Sequence, residues 1–201
     1  MKICGLARAK DVLAVAECHP DAIGFVFWPG SKRAVRARDV AEWVVDLPTN
    51  ILKVGVFVDA TRSDIERTMA VAGLDIAQLH GNESPEEFVG FRGGLWRSVR
   101  LSSGSHVDPA AWHVDAYLID TYSEEAPGGT GRVGDWVRAR EFVVACSRPV
   151  WLAGGLTPNN VREAIRRVQP WGVDVSSGVE EAPGQKDLEK VKAFIEACRE
   201  D

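Results

Sequence analysis

Apolar residues gather in eight short runs, at 2–5, 22–27, 52–58, 76–79, 95–101, 116–120, 150–153 and 172–175, roughly twenty to thirty residues apart. Most are continuous rather than alternating, rich in Val, Ile, Leu and Phe, and free of proline. A strand with one wet face alternates polar and apolar positions, whereas a strand covered on both faces does not. The runs therefore predict parallel strands buried on both sides.

The segments between them carry helical spacing. Ile65, Met69 and Ala72 share one face, as do Val161, Ala164, Ile165 and Val168. Near the end, Leu188, Val191, Phe194, Ile195 and Cys198 form one stripe with charged residues opposite. Ser84-Pro85-Glu86-Glu87 reads as a capping box with proline at the first helical position, and Thr157-Pro158 as a second N-cap. Gly73 suits the C-terminal end of the helix before it. Residues 108–113 are the poorest helix candidate, being short and opening on Asp-Pro.

Strands alternating with helices imply an α/β fold with right-handed parallel crossovers. Eight units favour a closed barrel, although six to eight also build an open doubly wound sheet. A dinucleotide-binding sheet puts G-x-G-x-x-G after its first strand, and Gly5-Leu6-Ala7-Arg8 does not supply it. The reading adopted is a single-domain (β/α)8 TIM barrel over residues 1–201, with no low-complexity linker dividing it. Barrels of this kind start at about 200 residues, so insertions and lids have almost no room.

Composition acts mainly by exclusion. A net charge of −5 without a basic stripe argues against a nucleic-acid partner. The one dense basic cluster, Lys32, Arg33, Arg36 and Arg38, fits either a solvated helix face or an anion site. No run approaches the roughly 20 apolar residues of a membrane span, and residues 1–4 are too short for a secretory core. Cys4, Cys18, Cys146 and Cys198 are scattered and fit no metal spacing, which suits a reducing cytoplasm. His19, His106 and His113 likewise show no ligand spacing, so no metal is expected. Most of the seven tryptophans are expected to serve packing rather than stacking on a ligand.

In a barrel, chemistry sits at the C-terminal ends of the strands and in the loops after them. Gly154-Gly155 and Ser176-Ser177-Gly178 end the last two strands, where barrels commonly bind phosphate. Glycine lets a phosphate approach backbone N–H groups, and serine hydroxyls add donors. The alternative is that these glycines only make tight turns. Cys4 and Asp120 end the first and sixth strands and suit a general acid–base pair. A thiol of ordinary pKa, about 8.5, needs a cationic neighbour to act as base, and Lys2 shares its strand face. Read singly, Cys4 also fits an inert small hydrophobe, Asp120 a turn residue, and His80 a structural histidine.

These strand ends, taken in order, resemble the phosphoribosylanthranilate isomerase family. The resemblance rests on Lys2-Ile-Cys-Gly-Leu6, Gly24-Phe-Val-Phe27 followed by Ser31-Lys-Arg33, Lys53-Val-Gly-Val-Phe-Val58 and Gln78-Leu-His-Gly81. It continues through Gly128-Gly-Thr-Gly131, Leu152-Ala-Gly-Gly-Leu156, Gly172-Val-Asp-Val-Ser-Ser-Gly-Val-Glu180, Pro183-Gly184 and Lys186-Asp187. The resemblance implies an Amadori rearrangement in tryptophan biosynthesis, converting N-(5′-phosphoribosyl)anthranilate into its 1-deoxyribulose phosphate isomer. It assigns Asp120 as the acid at the ribose ring oxygen, Cys4 as the base at C2′ and Arg33 as partner of the anthranilate carboxylate. His80 and Asp174 would line the substrate site. No cofactor is implied, the partner is a small phosphosugar, and the protein is expected as a monomer or homodimer.

The chain departs from the family pattern in a short first strand, in Ser123-Glu124-Glu125-Ala126 after Asp120, and in Gly134 where a bulkier residue is common. Two rival readings stay open at this point. An aminoaldose isomerase of histidine biosynthesis would be longer, two-fold repeated and carry an aspartate where Cys4 stands. A non-catalytic phosphometabolite-binding barrel would keep the glycines and serines and lose the acid or the base.

Overall fold

The computed structural model describes residues 1–101, 109–120 and 135–199. The Gly128–Gly131 motif, residues 123–126, Gly134, His106 and Asp108 lie outside the described residues.

Eight parallel strands close into a barrel in chain order: β1 (Lys2–Ile3), β2 (Ala22–Val26), β3 (Leu52–Phe57), β4 (Ile76–Leu79), β5 (Gly94–Arg100), β6 (Ala116–Asp120), β7 (Val150–Ala153) and β8 (Gly172–Val175). Closure is made by β1 against β8, with Lys2 opposite Asp174 and Ile3 opposite Val175. Every expected strand is present to within two residues, and the open-sheet alternative falls away. The first strand is as short as the sequence suggested. Its ladder is extended by Cys4 N–H donating to the Val175 carbonyl at 2.8 Å.

Six α-helices are found among the described residues: α1 (Ala9–Ala16), α2 (Ala37–Val44), α3 (Arg62–Ala72), α4 (Trp136–Ala145), α5 (Val161–Val168) and α6 (Leu188–Arg199). Their apolar faces are those the periodicity picks out. Ile65, Met69 and Ala72 are buried on α3; Val161, Ala164 and Val168 on α5; Val191, Phe194 and Ile195 on α6. Each such side chain contributes about 1.5–3 kcal/mol when it is large and fully covered. Gly73 closes α3 in the left-handed conformation at φ 65°, its N–H returning to the Met69 carbonyl. None of the six is long and apolar enough to cross a membrane.

Three helix expectations need correction. The capping box at Ser84 opens a 3-10 turn of four residues, Pro85–Phe88, rather than an α-helix. Ser84 N–H does donate to Glu87 at 3.3 Å, but Gly90 and Gly93 follow at positive φ and end the element at once. Likewise α5 is capped by Asn160, not Thr157. The Asn160 side chain accepts from Thr157 N–H at 2.8 Å and donates to the Gly155 carbonyl at 3.0 Å, so a stapled turn precedes the helix. Residues 109–111 also form only a 3-10 turn.

Among the described residues no α-helix follows β4 or β5, and aromatic packing lies there instead. Phe88 contacts Phe91 and Trp112 at ring separations of 5.7 and 6.2 Å, and the Arg97 guanidinium lies 4.9 Å over Trp112. Inside the barrel, Ala22, Val54, Ile76, Trp96, Ala116, Leu118, Trp151 and Ala153 form a separate apolar plug. Trp96 and Trp151 meet at 4.8 Å within it. Trp112 and Trp136 are also buried, as the packing expectation for tryptophan required, whereas Trp28 and Trp171 stay exposed.

Candidate active site

Beside the apolar plug, four buried side chains are polar: Lys2, Gln78, Ser98 and Asp174. Lys2 is fully buried, and its ammonium donates to Gln78 Oε1 at 2.8 Å and pairs with Asp174 Oδ1 at 3.2 Å. Gln78 in turn donates to Ser98 Oγ at 3.2 Å. A polar layer from β8, β1, β4 and β5 thus spans the barrel beneath its mouth. Burial works against the Lys2 ammonium, but Asp174 and the nearby Cys4 outweigh it and raise its pKa.

Above this layer, at the C-terminal ends of the strands, lies a cleft of roughly 350 Å³, a usual size for a small-molecule site. All ten residues singled out from the sequence line it. Cys4 comes from the end of β1, Arg33 from the loop after β2, His80 from the end of β4 and Asp120 from the end of β6. Gly154 and Gly155 follow β7, Asp174 lies in β8, and Ser176, Ser177 and Gly178 follow it. A wider hollow of roughly 560 Å³ lies between α3 and residues 92–93. Its Arg62 and Glu66 neutralise each other at 2.8 Å, and it gathers no comparable chemistry.

Cys4 is buried, and space for it is made by Gly24. A Cβ at position 24 would stand 2.7 Å from Cys4 Sγ and 3.0 Å from Lys2 Cε. The cationic neighbour expected for Cys4 is therefore in place, but it is shared with Asp174 and Gln78. Burial raises the thiol pKa above its ordinary value, and the opposing pulls of Lys2 and Lys186 do not cancel it.

Asp120 faces His80, whose Nε2 is 3.7 Å from Asp120 Oδ2. The His80 loop is held rigidly. His80 N–H donates to the Phe57 carbonyl at 2.8 Å, and Glu83 accepts from Gly81 N–H, from Asp59 N–H and from Arg97.

The loops after β7 and β8 touch. A Cβ on Gly178 would lie 1.9 Å from the Leu156 carbonyl oxygen, so no side chain fits there. Gly154 and Gly155 turn at φ 94° and 67°, a region that glycine enters without strain. Ser177 opens a short 3-10 turn, whose first N–H groups have no acceptor within the turn.

Arg33 is held side-on by Glu180. Its Nε donates to Oε1 at 2.9 Å and its Nη2 to Oε2 at 2.5 Å, and these bonds raise its pKa further. Glu180 opens a small antiparallel hairpin, β9 (Glu180–Ala182) and β10 (Gln185–Lys186), and it also accepts from Lys186 Nζ at 2.8 Å. Gln78, Glu180 and Lys186 stand within the motifs quoted from the sequence but were given no role. Ser98 was not singled out, although a polar residue inside a strand buried on both faces was a usable signal.

A (β/α)8 barrel with ionisable groups from four strands converging on one cleft at its C-terminal mouth is the architecture of an enzyme. The sequence model for N-(5′phosphoribosyl)anthranilate (PRA) isomerase matches residues 1–197, and the chain belongs to that family. It is 44% identical over 200 residues to an N-(5′-phosphoribosyl)anthranilate isomerase of Magnetococcus marinus, covering 99% of this chain and 94% of that one. Its fold is similar to phosphoribosyl anthranilate isomerase from Thermotoga maritima, with a TM-score of 0.88, 37% identity, and coverage of 98% and 97%. It is also similar to such an enzyme solved with reduced 1-(o-carboxyphenylamino)-1-deoxyribulose 5-phosphate, with a TM-score of 0.85, 35% identity, and coverage of 98% and 97%.

Proposed function

We propose that this protein isomerises N-(5′-phosphoribosyl)anthranilate to 1-(2-carboxyphenylamino)-1-deoxy-D-ribulose 5-phosphate, with Asp120 as general acid and Cys4 as general base. The observation that carries this reading is the convergence of both groups, Arg33, the glycine loop after β7 and the serine–glycine loop after β8 on one cleft in a chain of this family.

Asp120 donates a proton to the ribose ring oxygen as the C1′–O bond breaks, and the anthranilate nitrogen lone pair forms a C1′=N iminium. Cys4 then removes the C2′ proton; those electrons form C1′=C2′ and neutralise the nitrogen. The resulting enol(amine) tautomerises to the ketone by losing its hydroxyl proton and gaining one at C1′. Only proton transfers and positioning are required. Cys4 acts only in its thiolate form: its own proton leaves to solvent before the C2′ step, and Lys2, Lys186 and the iminium cation formed on ring opening favour that ionisation against burial. Arg33 offers a planar fork to the anthranilate carboxylate. Gly154, Gly155, Ser176, Ser177 and Gly178 cup the phosphate, and Asp174 and His80 flank the sugar.

The binding-barrel alternative lacks support, because both an acid and a base are present at the mouth. The test is loss of anthranilate-type fluorescence when the protein meets phosphoribosylanthranilate generated in place. Rapid loss supports the reading; no loss with phosphate binding intact overturns it.

A further inference from the structure

Arg33, Glu180 and Lys186 form a charged triad at the wall of the cleft, and only Arg33 reaches the cleft itself. Glu180 and Lys186 are almost fully covered, with side-chain exposures of 3% and 2%, against 23% for Arg33. A guanidinium has two edges that can grip a carboxylate, one from Nε and Nη2 and one from Nη1 and Nη2. Glu180 occupies the first. Among the described residues the Nη1–Nη2 edge has no partner. The stem of Arg33 is fixed as well, because it lies over Gly5, where a Cβ would stand 2.6 Å from Arg33 Cδ.

Arg33 paired only with Glu180 would be a neutral couple, with little attraction for an incoming anion. Lys186 changes that. Its ammonium reaches Glu180 Oε1 at 2.8 Å and the Ser176 carbonyl at 3.1 Å, which ties the triad to the loop after β8. Burial lowers the Lys186 pKa and Glu180 opposes that shift; with all three groups charged the triad carries a net +1. Gly184 N–H adds a further donor to Glu180 Oε1 at 3.2 Å. The β9–β10 hairpin lies outside the barrel and supplies both Glu180 and Lys186.

We propose that Glu180 and Lys186 are positioning residues that set the carboxylate selectivity of the enzyme: Glu180 aims the free edge of Arg33 into the cleft, and Lys186 keeps the triad cationic. This rests on the reading in which Arg33 meets the anthranilate carboxylate. The hairpin is thereby a specificity element.

The experiment compares binding of two stable reduced product analogues, one with the ring carboxylate and one with a plain phenylamino group. Wild type should prefer the carboxylate form by about ten- to a hundredfold. Glu180→Gln and Lys186→Met should each cut that preference by about tenfold or more, read as the ratio of the two analogue affinities so that any loss of phosphate grip, common to both analogues, cancels. Folded variants that keep the wild-type preference overturn the proposal. If wild type itself shows no preference, the reading of Arg33 fails instead. Should the two variants not fold, Arg33→Lys decides. A lysine keeps the charge but cannot serve two carboxylates along two edges, so a preserved preference would sink the proposal.

Discussion

Replacing Lys2 by Met keeps the length and most of the volume of the side chain and removes only its charge. The ammonium is fully buried between Gln78 Oε1 at 2.8 Å and Asp174 Oδ1 at 3.2 Å, so the loss leaves a carboxylate facing the barrel interior without its cation. Removing one partner of a buried ion pair costs about 3–5 kcal/mol, whereas removing both can be nearly neutral. In a chain of this size, 1 kcal/mol is worth about 2–4 °C in Tm, so Lys2→Met should melt about 6–20 °C below wild type. Adding Asp174→Asn should restore most of that loss, and the two changes should be strongly non-additive. Denaturant unfolding followed by tryptophan fluorescence reads both quantities. The pKa shift gives a further check. Burial opposes the Lys2 ammonium, but Asp174 and Cys4 raise its pKa in the folded state, so its stabilisation is fully present below the ordinary lysine value. It is lost only as pH rises above about 10.4 and through the folded value. The gap between wild type and Lys2→Met should therefore hold steady from pH 7 to 10 and close above it. A cost under about 1 kcal/mol, or simple additivity with Asp174→Asn, would refute the ion-pair reasoning.

Two further outcomes follow from the site. Gly178→Ala drives a Cβ to 1.9 Å from the Leu156 carbonyl oxygen, so it should destabilise the protein by about 1–3 kcal/mol and weaken inhibition by inorganic phosphate; unchanged phosphate affinity would separate these loops from anion binding. Burial holds the Cys4 thiol above its ordinary pKa, so alkylation of Cys4 in the free protein should be slow at pH 7 and accelerate through pH 9 and beyond, read by mass spectrometry. Fast modification at pH 7 would mean that Lys2 and Lys186 prevail over burial.

The strands were legible because eight runs of Val, Ile, Leu and Phe need burial on both faces, and only a covered parallel sheet provides it. The location of the site was legible for a related reason. Once the strands are placed, the residue ending each one is fixed at the barrel mouth, and Cys4, His80, Asp120 and Ser176 meet there whatever the helices do. Helix extents were less so. The Ser84 box marks where a turn begins, but Gly90 and Gly93 decide that it goes no further. Pairings across the chain were the least legible. Glu180 and Arg33 lie 147 residues apart, and their contact depends on a hairpin of two short strands that shows no periodicity. Lys2 was expected beside Cys4 from strand alternation alone; that Asp174 and Gln78 share its charge depends on β8 closing against β1 and on where β4 sits across the barrel.

Whether Cys4 and Asp120 carry the proton transfers is decided by measuring turnover and analogue affinity together in Cys4→Ala and Asp120→Asn. Each variant should lose about 10²- to 10⁴-fold in kcat while binding the reduced, carboxylate-bearing product analogue within a few-fold of wild type. Near-normal turnover in either would remove that residue from the chemistry and contradict the account.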